Sequence, residues 1–465
     1  MVIVGGGFGG LTAAQALAKA PVQVTLVDRR NHHLFQPLLY QVATAALNPG
    51  DIAYPIRAAL RDQRNCRVLL ADAVAVDTAA RRVILDDGAL HYDYLIVATG
   101  ATHSYFGRDE WAAHAPGLKS IEDALEIRRR VFLAYEAAER EADPALQRAW
   151  QTFVVVGAGA TGVELAGALG EIGLHTLARD FRRIDPTQVR VLLVEAGDRV
   201  LGTYPPKLSD AAQRSLEKRR VEVRLHARVT GIDDHGVELT VAHADGTTTK
   251  ERVAARTVLW AAGVQASPLA RSLGVPLDRS GRVIVEPDLT IPGHPEVFVI
   301  GDLAAMVSDG KPVPGVAQGA MQGGTHAARA IADAVRGKPR RPFRYKDKGS
   351  LATIGRTSAV VVIGKAQHAG FLAWLFWWVL HIFYVIGFRN RLSVILSWAW
   401  SWLTFQRGVR LITGPVGKLP PVRGLTEAGA PALPAAAAPV LLDDAAAGAT
   451  HDSVADARQA AAGNS

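Results

Sequence analysis

The chain has 465 residues, 49% hydrophobic and 21% charged, enough for about three domains with more than one apolar core, which excludes a single small module. Its one cysteine, Cys66, excludes an internal disulfide, a Cys-x-x-Cys pair and a thiolate-built zinc or iron–sulfur site, so any electron transfer must run through organic groups. The net charge of +8 is uneven: Lys348 to Thr426 holds nine basic and no acidic residues, and these flank long apolar runs, which favours contact with anionic headgroups over nucleic acid.

The first element is an apolar strand, Val2 to Val4. Neither the charged region nor the long apolar region of a secretory signal precedes it, so the bulk of the protein is expected in the cytoplasm. Gly5, Gly7 and Gly10 follow as G-x-G-x-x-G, ahead of the helical run Leu11 to Ala18. The first glycine allows the tight turn, the second lets backbone approach a pyrophosphate and the third lets helix and strand pack closely, while the helix N-terminus offers unpaired N–H groups to phosphate. Asp28 follows Gly10 by 18 residues at the end of the strand Val22 to Val27, where a carboxylate can accept the hydroxyls of an adenosine ribose. The unit closes on the buried strand leading to Thr99 and Gly100.

A second copy begins at Phe153. FVVVGAGATG supplies Gly157, Gly159 and Gly162 after a strand, and the unit closes on TVLWAAGV, which contains Gly263. The matching acid, Glu195, lies 33 residues beyond Gly162 rather than the usual ~20, a delay assigned to a polar insertion around Arg179 to Gln188. A carboxylate there accepts ribose hydroxyls and repels a 2′-phosphate, so NADH is favoured over NADPH, with Arg199 as the reservation. Two dinucleotide sites in one chain suggest a resident and an exchanging cofactor with hydride passing between them. A third apolar strand, VFVIGDLA at Val297 to Ala304, ends in Gly301 and Asp302. Asp302 can hold the ribityl hydroxyls of a flavin, which points to FAD as the resident group; the bland alternative is a helix cap.

The expected fold is therefore α/β, with two Rossmann-like dinucleotide-binding domains of glutathione-reductase type and a C-terminal membrane-attachment region. The expected boundaries are 1–115 plus 284–340 for FAD, 116–283 for NADH, 341–422 for membrane attachment and 423–465 as a disordered tail.

With GGGFGG, GAGATGVELAG and VIGD in place, three longer motifs narrow the comparison. HLFQPLLYQVATAAL at His33 to Leu47, AQGAMQ at Ala317 to Gln322 and YKDKGSLATIGRTSAV at Tyr345 to Val360 resemble the type II NADH dehydrogenases, single-subunit NADH:quinone oxidoreductases. The resemblance implies that Gly5, Gly7, Gly10, Asp28, Thr99, Gly100, Gly301 and Asp302 hold tightly bound FAD, with Gln41 and Thr44 close to it. It implies that Gly157, Gly159, Gly162, Glu195 and Gly263 hold NADH, and that Glu164 reaches nicotinamide and flavin, although in the first helical turn this acid has an equally plain structural reading. Gln318 and Gln322, four apart on one helical face, would meet a quinone carbonyl; on residue type alone they read as a solvated face. Tyr345 and Lys346 are weaker candidates on the way to that site. No EF-hand loop is present and no metal is expected.

The run Gly370 to Phe388 is 19 residues long, broken only by His381, and as one helix would span ~28 Å, close to a bilayer core. Leu392 to Phe405 follows as an amphipathic helix, and six of the nine tryptophans lie between Trp374 and Trp402, a residue that prefers the headgroup level. A buried core helix, a spanning hairpin and interfacial helices compete; the resemblance favours the last. The expected activity is non-electrogenic transfer of hydride from NADH to FAD and of two electrons to ubiquinone or menaquinone, in the respiratory chain, at the cytoplasmic face of a bacterial inner membrane. A homodimer is left open. The rival is a soluble-type NAD(P)H reductase of a ferredoxin, which leaves Gly370 to Phe405 unexplained; sulfide:quinone and disulfide reductases need cysteines that are missing. A non-catalytic sensor that binds both nucleotides would bind NADH without bleaching a flavin.

Overall fold

The computed structural model describes residues 1–416 and 419–421; the stretch expected as a disordered tail lies outside them. Two parallel sheets organise the chain, and each grows from a run of β-branched and aliphatic residues buried on both faces, as sheets covered by helices require. In the first, Val2–Val4 pairs with Val24–Asp28 on one side and Leu95–Val97 on the other, and Cys66–Leu70 extends it beyond Val24–Asp28. In the second, Thr152–Val156 lies between Arg190–Val194 and Thr257–Trp260, with Val221–Arg224 outermost.

The two sheets thus share one strand order, third-second-first-fourth in chain sequence. Each also inserts a three-stranded antiparallel meander before its fourth strand, Ala73–His91 in one and Ala227–Ala254 in the other. The internal repeat read from glycines and strand ends is therefore a repeat of topology. His294–Val299 pairs parallel to Leu95–Val97 and so belongs to the first sheet, not the second. Ala101–His103 and Val264–Ala266 form a two-stranded antiparallel link that ties the closing segments of the two units together.

The long delay before Glu195 has a structural cause. The helix Ala160–Glu171 runs into a single π turn, Ile172–Thr176, and an irregular loop. The Glu139 carboxylate holds that loop by accepting the N–H groups of Arg182, Arg183 and Ile184.

Beyond residue 349 a three-stranded antiparallel sheet, Ser350–Thr353, Ala359–Ile363 and Ala366–Gly370, leads into two helices, Phe371–Tyr384 and Phe388–Thr404. The apolar run expected as one long helix is divided. Val385 is extended and Gly387 has φ +88°, so the first helix ends after 14 residues, a rise of only ~21 Å. Among the described residues no helix is long and apolar enough to cross a membrane.

Candidate active site

Each glycine turn is built around a backbone contact that admits no side chain. A Cβ on Gly10 would fall inside the Gly5 carbonyl oxygen, and a Cβ on Gly162 would meet the Gly157 oxygen in the same way. The acids repeat the correspondence atom for atom. Asp28 accepts the N–H of Gly6 at 2.5 Å and of Arg30 at 2.7 Å. Glu195 accepts the N–H of Ala158 at 2.7 Å and of Gly197 at 2.8 Å. Each carboxylate is thus fixed by the turn it serves and keeps lone pairs for further donors. Arg199, the reservation about a 2′-phosphate, donates instead to the Gly202 carbonyl at 3.0 Å.

A cavity of about 970 Å³ opens at the first turn. Its wall brings together Gly5, Gly7, Asp28, Thr99, Gly100, Glu164, Gly301, Asp302, Gln318 and Gln322. Gly10 is buried within the helix Phe8–Ala16, and Gly157, Gly159, Gly162, Glu195 and Gly263 are not part of this wall, although Ala160 and Thr161, next to the second turn's glycines, are. FAD fits the donor set. Val316 and Ala317, where the helix Ala317–Val335 begins, also line the cavity, so two helix N-termini favour an anion there. Asp28 and Asp302 can accept hydroxyls, and the Thr99 hydroxyl is buried without a hydrogen-bond partner, a cost that a bound polar group removes. The cap reading of Asp302 does not hold, because Ile300 occupies the cap position of the short turn Gly301–Leu303.

Glu164 differs from its expected setting. The helix starts at Ala160, so this residue stands in the second turn, beyond the strongest part of the dipole. Burial pushes its carboxyl up to about 8, against a weak opposing bond from the Thr353 N–H at 3.5 Å. At neutral pH it is therefore mainly protonated and can donate a hydrogen bond into the cavity.

Gln318 and Gln322 face the segment Lys346–Gly349 rather than solvent. Gln318 donates to the Gly349 carbonyl at 2.9 Å and accepts the Lys348 N–H at 3.0 Å. Gln322 donates to the Lys346 carbonyl and accepts the Lys346 N–H, both at 2.9 Å. Gln41 and Thr44 are not brought to the cavity wall. Gln41 is buried between the Tyr40 hydroxyl, to which it donates at 2.8 Å, and the Trp398 indole N–H, which it accepts at 2.5 Å. The Thr44 hydroxyl returns to the Tyr40 carbonyl, and the Thr44 carbonyl accepts buried Arg407. Their environment is set by the C-terminal helices, a tertiary contact that local spacing does not encode.

Those helices are amphipathic inside out. Asn390, Ser393 and Trp398 of the second helix bond inward to Ala53, Asp51 and Gln41, while Leu372, Phe383, Phe388 and Leu403 are each more than two-thirds exposed. Trp377 and Trp398 are buried against one another with ring centroids 5.4 Å apart, so two of the six tryptophans are packing residues. The basic segment is also less free than its charge suggested. Arg391 caps the preceding helix through the Phe383 and Val385 carbonyls, Arg407 and Arg410 pair with Glu171 and Asp180, and Arg356 lies over the Phe405 ring.

Two site residues carried no recognised signal of their own. His33, inside the motif quoted above, is buried and hydrogen-bonds the Gly6 carbonyl at 3.1 Å, bracing the phosphate turn; burial holds its pKa down. His381 lines the cavity at the end formed by the C-terminal helices, gives Nδ1–H to the Trp377 carbonyl at 2.7 Å, and is pushed by burial down to about 4. A lone histidine in an apolar run reads as an interruption, and only the fold shows which way it turns. Cys66 lies in an edge strand with its thiol pushed up to about 11 by burial, so it supplies no thiolate chemistry at neutral pH.

Among the described residues no cluster of side chains suits a metal ion. Residues 1–324 match the family described as pyridine nucleotide-disulphide oxidoreductase. Two proteins of Mycobacterium tuberculosis, the type II NADH:quinone oxidoreductases NdhA and Ndh, are 50% and 48% identical to the chain; each comparison covers 89% of the chain and 89% or 90% of the relative. The solved structure of NDH2 from Plasmodium falciparum in complex with NADH superposes with a TM-score of 0.79 over 89% of the chain and 99% of its own, at 19% identity, a likeness of fold. Two duplicated dinucleotide folds, a cavity with the donors an FAD requires and identity at this level over nearly the whole chain place the protein in the type II NADH:quinone oxidoreductase family.

Proposed function

We propose that the chain oxidises NADH at the second glycine turn and delivers two electrons to a membrane quinone at the cavity end formed by the C-terminal helices, without pumping protons. The observation that carries this reading is the cavity itself, whose wall runs from the Asp28 turn to Glu164, Gln318 and His381. FAD would supply the chemistry when bound, accepting hydride and returning electrons singly or in pairs. Residues 1–115 with 284–340 serve as its domain, 116–283 as the NADH domain and 341–422 as the membrane part.

Gly5, Gly7, Gly10, Gly100 and Gly301 keep the backbone close to FAD, Asp28 and Asp302 accept its hydroxyls, and Thr99 gives its unpartnered hydroxyl. Gly157, Gly159, Gly162, Glu195 and Gly263 do the same for NADH, with Glu195 selecting against a 2′-phosphate. Gln41 and Thr44 act from behind the wall, Gln41 by seating the C-terminal helix through Trp398 and Thr44 by holding Arg407 just beyond it. Protonated Glu164 donates a hydrogen bond where the two nucleotides approach, bringing no charge against arriving electrons.

Anaerobic absorbance of the yellow protein tests the whole sequence. NADH should bleach the flavin band within the turnover time, and a soluble ubiquinone analogue should restore it. Recovery with a ferredoxin but not with quinone would reject the quinone reading.

The outward apolar face is read as an interfacial foot on the cytoplasmic side of the membrane, with anionic lipids as its surface. Burying one leucine or phenylalanine contributes about 1.5–3 kcal/mol, so aspartate at Leu372, Phe388 and Leu403 together should reduce co-sedimentation with phosphatidylglycerol vesicles by far more than tenfold while bound FAD is retained. Undiminished binding would move the attachment elsewhere, and equal binding to phosphatidylcholine would remove the need for anionic lipid.

A further inference from the structure

We infer that Gln318 and Gln322 act on the quinone reaction as positioning residues, by clamping the Lys346–Gly349 backbone as a substitute β-strand partner. The inference rests on quinone being the acceptor. Each carboxamide presents the same edge as a strand's backbone, one N–H and one C=O, and engages one backbone C=O and one backbone N–H at 2.9–3.0 Å. Spacing of four puts both on one helical face, so the pair splints a segment that has no strand partner of its own: the antiparallel sheet begins only at Ser350.

What the splint positions is the cavity wall. Lys348, Gly349, Ser350 and Leu351 all line it. The strand that follows carries Thr353, whose N–H reaches Glu164, so the clamp connects the acceptor wall with the acid on the NADH side. Gly349 makes the junction feasible. Its φ is +99°, and a Cβ there would run into the Val362 carbonyl oxygen, so the chain can turn from the clamp into the sheet only with glycine at this position.

The alternative role for the glutamines is direct. A primary amide has two N–H groups, and each side chain uses one in the clamp, so a second N–H could go to a quinone carbonyl. Glutamate separates the two roles. A protonated carboxyl offers C=O and O–H along one edge, as the amide does, and restores the clamp, but it has no second donor. An ionised carboxylate cannot donate to the Gly349 or Lys346 carbonyl and breaks it.

The experiment is the quinone KM of Gln318→Glu and Gln322→Glu, relative to wild type at each pH, between pH 4 and 8.5, a range that reaches below the ordinary glutamate pKa of about 4.3, with vesicle-bound protein and the retained flavin band serving as the check on folding. The clamp requires a KM raised at least tenfold at pH 8 that recovers several-fold as pH falls, with no recovery at any pH in Gln318→Met or Gln322→Met. A Glu variant that keeps its FAD and stays defective at pH 4 would assign the second N–H to the quinone and overturn the proposal, as would a Glu variant with wild-type KM throughout. Gly349→Ala gives an independent reading, since it should raise the quinone KM similarly with both glutamines intact; an unchanged KM there also overturns it. If wild-type protein is not reoxidised by quinone at all, the reading beneath the inference fails instead.

Discussion

Gly10→Ala should yield colourless protein, whereas Gly162→Ala should yield yellow protein that NADH bleaches poorly. Both substitutions add one methyl group at the same place in two copies of one turn, against the carbonyl oxygens of Gly5 and Gly157. Neither oxygen can rotate away as a side chain would, because each belongs to the turn that approaches the pyrophosphate. The helix must therefore retreat from the strand, which withdraws its N-terminal N–H groups from the phosphates and leaves Asp28 or Glu195 out of register with the turn. Overpacking of this kind costs about 1–3 kcal/mol, and with tenfold in affinity for each ~1.4 kcal/mol the expected loss is about 10- to 100-fold. Flavin content after gel filtration reads the first variant, and the NADH concentration needed for half-maximal bleaching reads the second. Loss of FAD from Gly162→Ala, or normal NADH affinity in it, would show that the two turns do not divide the cofactors as assigned.

How far the sequence carried this description depends on the range of the interaction. The glycine turns, the acids and the internal repeat follow from local rules of backbone space and strand periodicity, and the structure shows both sheets in the same order. Even the distant Glu195 was readable, since a loop inserted between helix and strand changes the count without changing the turn. The errors lie where distant segments meet. Gln41 and Thr44 stand inside a telling motif, yet the Trp398 indole and the Arg407 guanidinium, more than 350 residues on, decide which way they face. The apolar run from Gly370 reads as one helix because hydropathy sees composition, while the break at Val385 to Gly387 depends on backbone dihedrals. The nine basic residues set the charge of their segment, but ion pairs of Arg407 with Glu171 and of Arg410 with Asp180, which only the fold brings about, spend part of it internally.

Glu164 was legible as a residue and illegible as a chemical species, and its protonation has the second large consequence. With its carboxyl pushed up from the ordinary 4.5 to about 8 by burial, the folded state holds a proton between those values that the unfolded chain has released. Stability therefore falls as pH rises from about 4.5 to about 8 and levels off above, the sign for a raised carboxyl pKa. Catalysis should follow the same titration. Below the break Glu164 donates a hydrogen bond and is uncharged; above it a carboxylate faces the place where electrons arrive. The wild-type kcat/KM for NADH, which reports the free enzyme, should fall about tenfold per pH unit once the break near 8 is passed. Glu164→Gln keeps a donor that does not titrate, so it should retain most of the neutral-pH rate, lose the alkaline limb, and melt with less dependence on pH between 5 and 9. Glu164→Leu should be slow at every pH, since it neither donates nor titrates. An alkaline limb that persists unchanged in Glu164→Gln would assign the titration to another group and return this acid to a structural role.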